Sequence, residues 1–127
     1  MNYILIVDDH VDIRRLLRIT LGRQFDIIEA EDGVSALRAI RRYHPKIVLL
    51  DVMMPGEVDG LQLLDAVKSD PHISGTLVAI LTARGQKTDS DEAIRRGADA
   101  YFIKPFSPLK LISWVREQLR AVPPVPE

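Results

Sequence analysis

Residues 3–21 read Tyr3-Ile4-Leu5-Ile6-Val7-Asp8-Asp9-His10-Val11-Asp12-Ile13-Arg14-Arg15-Leu16-Leu17-Arg18-Ile19-Thr20-Leu21. The first five form an unbroken apolar run, which predicts a short strand covered on both faces. Two aspartates stop it. Beyond them Ile13, Leu16, Leu17 and Leu21 recur at the i, i+3, i+4, i+8 spacing of one helical stripe, with Arg14, Arg15 and Arg18 off it. A doubly covered strand that feeds an amphipathic helix is half of a crossover unit, and such units join parallel strands.

Outward from this unit the same alternation continues. Ile27 to Ala30, Ile47 to Leu50, Leu77 to Thr82 and Tyr101 to Lys104 are further strands. Asp32-Gly33 opens a second helix carrying Leu37 and Ile40, and Leu61, Leu64 and Val67 mark a third. Asp89, with Glu92 three residues on, predicts the start of a fourth that stops at Gly97. Ser107-Pro108 starts the fifth, whose buried side is Leu111, Ile112, Val115 and Leu119. Right-handed helical crossovers place helices on both faces of the sheet. The fold class is therefore α/β: a doubly wound, five-stranded parallel sheet, flavodoxin-like (β/α)5, for which the expected strand order is 2-1-3-4-5. Residues 1–120 form one domain, and the Pro-rich 121–127 reads as a tail or linker stub.

Composition narrows the class. The 127 residues are 46% apolar and 28% charged, enough for one core without staples, and the absence of cysteine removes disulfides and thiolate metal sites. Seventeen basic against eighteen acidic residues leave no field that would attract nucleic acid or a membrane surface. No apolar stretch approaches the ~20 residues of a membrane span, and the start lacks the basic flank of a secretory signal, so the expected location is cytoplasmic.

In an open parallel sheet ligands bind beyond the carboxyl ends of the strands. Those ends carry Asp8-Asp9, Asp51, Thr82 and Lys104, up to 96 positions apart in sequence yet predicted to share one edge. Taken singly each has an ordinary reading: Asp8, Asp9 or Asp12 as a helix cap, Asp51 as a turn residue, Thr82 as packing, Lys104 as a solvated cation. Their joint occurrence at corresponding strand ends does not. Three carboxylates in one place repel one another, and a divalent cation relieves this. An all-oxygen set suits Mg²⁺, with Mn²⁺ as the alternative, and is wrong for zinc. Mg²⁺ shares its shell with phosphate oxygens, and a lysine and a hydroxyl beside it would bind the rest of a phosphoryl group. His10 reads as an exposed loop residue, because His44 and His72 offer no metal-binding spacing with it.

Five pieces carry a resemblance: Ile6-Val7-Asp8-Asp9, Leu50-Asp51-Val52-Met53-Met54-Pro55, Leu81-Thr82-Ala83, Gly97-Ala98-Asp99-Ala100-Tyr101 and Lys104-Pro105-Phe106. In this order, with intervals of 43, 31 and 22 residues from Asp8 to Asp51, Thr82 and Lys104, the chain resembles a receiver domain of the two-component response regulator family over residues 3 to 120. The resemblance implies that Asp51 is the phosphorylation site, taking a phosphoryl group from a sensor histidine kinase or a histidine phosphotransfer protein. It implies that Asp9 and Asp51 ligate Mg²⁺ directly, Asp8 largely through water, and that the backbone carbonyl of Met53 completes the protein's share. Thr82 and Lys104 would bind phosphoryl oxygens, Thr82 and Tyr101 would act as the switch, and a cis Lys104-Pro105 peptide would aim the lysine inward. Activation would change what the fourth helix, fifth strand and fifth helix bind, toward an unknown downstream protein. Such a module is not an enzyme beyond its own phosphorylation and autodephosphorylation.

One departure stands out. Gly56-Glu57-Val58-Asp59-Gly60 is one residue longer than the family's usual spacing between Pro55 and the Asp-Gly pair, so access to Asp51 and phosphoryl lifetime would be affected. Met53 and Arg84 stand where the family tunes that lifetime. The rivals are a receiver-like interaction module that works without phosphate, a small Mg²⁺-dependent phosphatase and a flavin-binding flavodoxin. The complete set of acids, Thr82 and Lys104 argues against the first. Met53, where such phosphatases place a second aspartate, argues against the second. The acidic turn after the first strand argues against the third.

Overall fold

The computed structural model describes residues 3–51, 59–83, 87–104 and 106–120. In chain order the elements are β1 (Tyr3–Val7), α1 (Val11–Leu21), a short 3₁₀ turn (Gly22–Gln24), β2 (Asp26–Ala30), α2 (Gly33–Tyr43), β3 (Ile47–Asp51), α3 (Gly60–Ser69), β4 (Leu77–Ala83), α4 (Lys87–Arg95), β5 (Ala100–Lys104) and α5 (Pro108–Arg120). All strand pairs are parallel, in the order β2-β1-β3-β4-β5. Each strand lies within one residue of its expected bounds. No described helix is long and apolar enough to cross a membrane.

The two-residue period of a strand sorts the apolar residues into two cores. Leu5 and Val7, Val48 and Leu50, and Val78 and Ile80 face α2, α3 and α4 through Ala36, Ile40, Leu63, Leu64, Val67 and Ala93. Ile4 and Ile6, Ile47 and Leu49, and Ala79 and Leu81 face α1 and α5 through Leu17, Leu21, Leu111 and Val115. The central strands are buried on both sides, which is why they read as continuous apolar runs rather than alternating ones.

Two helix expectations need correction. Leu16 is 46% exposed, not part of the buried stripe. Ile13, Leu17 and Leu21, at i, i+4, i+8, suffice for the seam against the sheet and α5, and Leu16 is turned about 100° from Leu17. α4 begins at Lys87, two residues before the expected Asp89. Arg95 and Arg96 hold the two carboxylate oxygens of Glu92 at 2.7 and 2.9 Å. At the other end Gly97, with φ 106°, closes the helix. The Gly97 N–H donates to the Ile94 carbonyl and the Ala98 N–H to the Ala93 carbonyl, a paired closure that needs a left-handed residue.

Candidate functional site

Four neighbouring parallel strands end side by side, so the register decides what meets at the edge. Asp51 pairs with Leu81, Thr82 with Ile103 and Ala83 with Lys104. Asp51 continues the phase of Ile47 and Leu49, and Lys104 that of Ala100 and Phe102, which places both on the α1/α5 side of the sheet. Thr82 is in the opposite phase. Asp8 extends β1 by one residue, since its N–H donates to the Ala30 carbonyl at 3.1 Å.

Asp8, Asp51 and Lys104 converge as the strand ends predict, and Thr82 ends its strand at the same edge in the opposite phase. Asp8 is fully buried, Asp51 and Thr82 nearly so. Lys104 reaches across with Nζ 3.3 Å from Asp8 Oδ2 and 3.7 Å from Asp51 Oδ1. Such a pair is costly to desolvate and is held only where both partners are present. One atom each from Asp8, Asp9, His10 and Asp51 lies within a span of 4.8 Å.

Two residues enter the site beyond those expected. The backbone N–H of His10 donates to Asp8 Oδ1 at 2.9 Å, and its ring Nδ1 lies 3.2 Å from the same oxygen and 3.1 Å from Asp9 Oδ1. The ring is exposed, as expected of a loop residue, but it is turned onto the acids rather than away from them. Its contact with Asp9 is close without the alignment of a hydrogen bond, and Asp9 Oδ1 is buried with no hydrogen-bond donor among the described residues. Arg14, expected off the helix's apolar stripe, donates from Nη1 to the backbone carbonyl of Asp8 at 2.6 Å and from Nε to Glu29 at 3.2 Å. It ties the end of β1 to β2. No spacing rule in a single sequence marks either residue, because both act from their place relative to Asp8.

Tyr101 sits on the edge strand β5, half-exposed beside Ile103 on the same face. Met53, Pro105, Arg84 and residues 56–58 of the longer loop lie outside the described residues, and with them the Met53 carbonyl and the Lys104-Pro105 peptide. After that loop Asp59 caps α3. It accepts from the Gln62 N–H at 2.8 Å while Gln62 Oε1 accepts from the Asp59 N–H at 2.9 Å, a reciprocal cap visible in the sequence as Asp-x-x-Gln before an apolar run.

The donor set fits a divalent cation. Lys104 offsets one of three carboxylates, and a buried carboxylate oxygen without a donor is a ready ligand. Asp8, Asp9 and Asp51 would hold it.

Comparison with known proteins shows the family. The family model for the response regulator receiver domain matches residues 4–116. The DNA-binding response regulator MtrA of Mycolicibacterium paratuberculosis is 39% identical over 118 residues, 92% of this chain and 51% of that protein. The transcriptional regulatory protein SrrA of Staphylococcus aureus is 42% identical over 120 residues, 94% of this chain and 48% of that protein. The chain thus spans about half the length of the curated relatives it matches. Among solved structures, the receiver domain of NtrX from Brucella abortus superposes with a TM-score of 0.82 at 38% identity, covering 91% of this chain and 97% of that one. A Francisella response regulator receiver domain superposes with 0.85 at 28% identity, covering 97% and 100%.

Proposed function

The chain belongs to the response regulator receiver family, and from that premise we propose that it is a phosphoacceptor switch in which Asp51 takes a phosphoryl group from a phosphohistidine. The family is one of signalling modules rather than of classical enzymes. The observation that carries the proposal is Lys104 Nζ seated between Asp8 and Asp51 at the carboxyl edge of the sheet. We take residues 1–120 as the receiver and 121–127 as its Pro-rich tail or linker stub, and the chain as cytoplasmic.

An Asp51 oxygen attacks phosphorus in line with the nitrogen–phosphorus bond of the donor. That bond breaks, the imidazole leaves with its electron pair, and an acyl phosphate remains. The carboxylate needs no general base, because it is already an anion at neutral pH. Burial at a strand end fixes its direction of attack, and positioning and charge neutralisation supply most of the catalysis in such transfers. Lys104 would bind a phosphoryl oxygen with its ammonium. Thr82, one position past the Asp51 register partner on β4, is assigned the hydroxyl contact to a second oxygen. Mg²⁺ bound by Asp9 and Asp51, with Asp8 behind and the Met53 carbonyl completing the set, would neutralise the charge that gathers on the transferred group; Mn²⁺ can substitute.

The donor is a sensor histidine kinase or a histidine phosphotransfer protein. Occupation of Asp51 draws Thr82 toward the phosphoryl group, Tyr101 turns inward behind it, and the face of α4, β5 and α5 changes what downstream protein it binds. DNA binding is part of the name of MtrA; for these 127 residues, with balanced charge, no nucleic-acid contact is proposed. The test is chemical trapping. After incubation with acetyl phosphate and Mg²⁺, borohydride reduction should convert residue 51 alone to homoserine, read by peptide mass spectrometry. Homoserine elsewhere, or nowhere while the donor is consumed, contradicts the assignment.

A further inference from the structure

We propose that His10 makes the acidic edge a mixed nitrogen–oxygen site, which binds first-row transition ions such as Ni²⁺ or Co²⁺ more tightly than Mg²⁺. The inference rests on the reading of that edge as a cation site. It replaces the all-oxygen donor set expected from the sequence with one that contains an imidazole.

The position of the ring is the first argument. His10 is the residue before α1, with extended backbone (φ −94°, ψ 116°) and its N–H bonded to Asp8 Oδ1, so its Cα is anchored at the site. The side chain is 68% exposed, and apolar packing does not account for its direction. It nevertheless brings Nδ1 to 3.2 Å from Asp8 Oδ1 and 3.1 Å from Asp9 Oδ1.

Those separations suit a shared ion. With metal–ligand bonds of ~2.1 Å, adjacent ligands in an octahedral shell stand about 3.0 Å apart, and in a tetrahedral shell about 3.3–3.4 Å. Both distances fall in this range. One ring nitrogen can satisfy only one oxygen as a donor, whereas an ion can take all three atoms, and Asp9 Oδ1 is a buried oxygen left without a hydrogen bond among the described residues.

Chemistry then sets the preference. Imidazole suits borderline ions such as Co²⁺, Ni²⁺ and Zn²⁺, and affinity at a nitrogen–oxygen site rises toward the right of the first row. Mg²⁺ is a hard ion that prefers oxygen, so it gains little from the ring. His10 should therefore alter selectivity while leaving Mg²⁺ binding in place. The other two histidines lie apart from this edge: His44 closes α2 before β3 begins, and His72 follows α3 ahead of β4.

The test is calorimetric titration of the untagged full chain with Ni²⁺ alone and with Mg²⁺ alone at one fixed pH, together with the visible spectrum of the Co²⁺ form. His10→Ala and His10→Asn should each lose about tenfold or more in Ni²⁺ affinity and change the Co²⁺ spectrum, with Mg²⁺ affinity unchanged within about twofold. His44→Ala and His72→Ala should match the wild type. Unchanged Ni²⁺ affinity in both His10 variants overturns the proposal. So does an equal fall for Ni²⁺ and Mg²⁺, which would mean that the ring only holds the carboxylates in place. Failure of the wild type to bind either ion overturns it together with the cation-site reading, whereas Mg²⁺ binding with no His10 effect on Ni²⁺ overturns it alone.

Discussion

At the scale of single residues, Lys104 balances two buried carboxylates that come from other strands. Truncating one partner of such a pair leaves charge buried without compensation, a loss moderated here because Lys104 is partly exposed. Lys104→Met should therefore destabilise the metal-free protein by about 1–3 kcal/mol, and millimolar Mg²⁺ should recover much of it; denaturant titration with and without Mg²⁺ checks both. Asp8, Asp51 and Lys104 were legible in the sequence because each stands where an apolar run stops, and a parallel sheet converts that coincidence into proximity. His10 and Arg14 were not. Their roles depend on a ring rotamer and on a carbonyl at the end of β1, neither of which has a periodic signature. Leu16 misled for a related reason: a hydrophobic stripe read at 3.6-residue spacing is wider than the seam that α1 presents to the sheet.

Elements are held by their ends. Asp32 caps α2, accepting from the Ser35 N–H at 2.8 Å and from its hydroxyl at 2.7 Å. The Ser35 N–H, then the hydroxyl, holds this carboxyl below its ordinary value of 3.8. A carboxyl lowered on folding binds fewer protons in the native than in the unfolded state, so its contribution is complete above about pH 4 and fades as pH falls through the folded value. Asp32→Ala should cost about 1 kcal/mol at pH 7, and the gap from wild type should narrow below pH 4 in thermal melts taken across pH. His44 ends the same helix in the left-handed region, φ 47° and ψ 59°, where a Cβ is unfavourable. His44→Gly should raise stability by up to about 1 kcal/mol, read from the denaturation midpoint; a loss would mean that the side chain contributes more than the backbone strain costs. The helix starts at Asp32 and Ser107 follow from local sequence, whereas α4 begins two residues before the Asp89 that the sequence pointed to.

For the whole molecule, the alternation of doubly covered strands with helices carried most of the architecture, and the order 2-1-3-4-5 follows the count of units. Each face of the sheet has its own core, and Leu49 lies fully buried under α1 and α5 in the strand that ends at Asp51. Leu49→Ala should cost about 2–5 kcal/mol by equilibrium unfolding. What the sequence could not supply is geometry that depends on distance: which oxygen faces Lys104, and which ring nitrogen faces the acids. The central claim is that this edge accepts a phosphoryl group on Asp51 with a divalent cation present, and intact mass after incubation with acetyl phosphate tests it most directly. The account predicts a gain of one phosphoryl group in the wild type with Mg²⁺, none with EDTA, and none in Asp51→Asn. No gain in wild type that still binds Mg²⁺ and beryllofluoride, or an equal gain in Asp51→Asn, would contradict it.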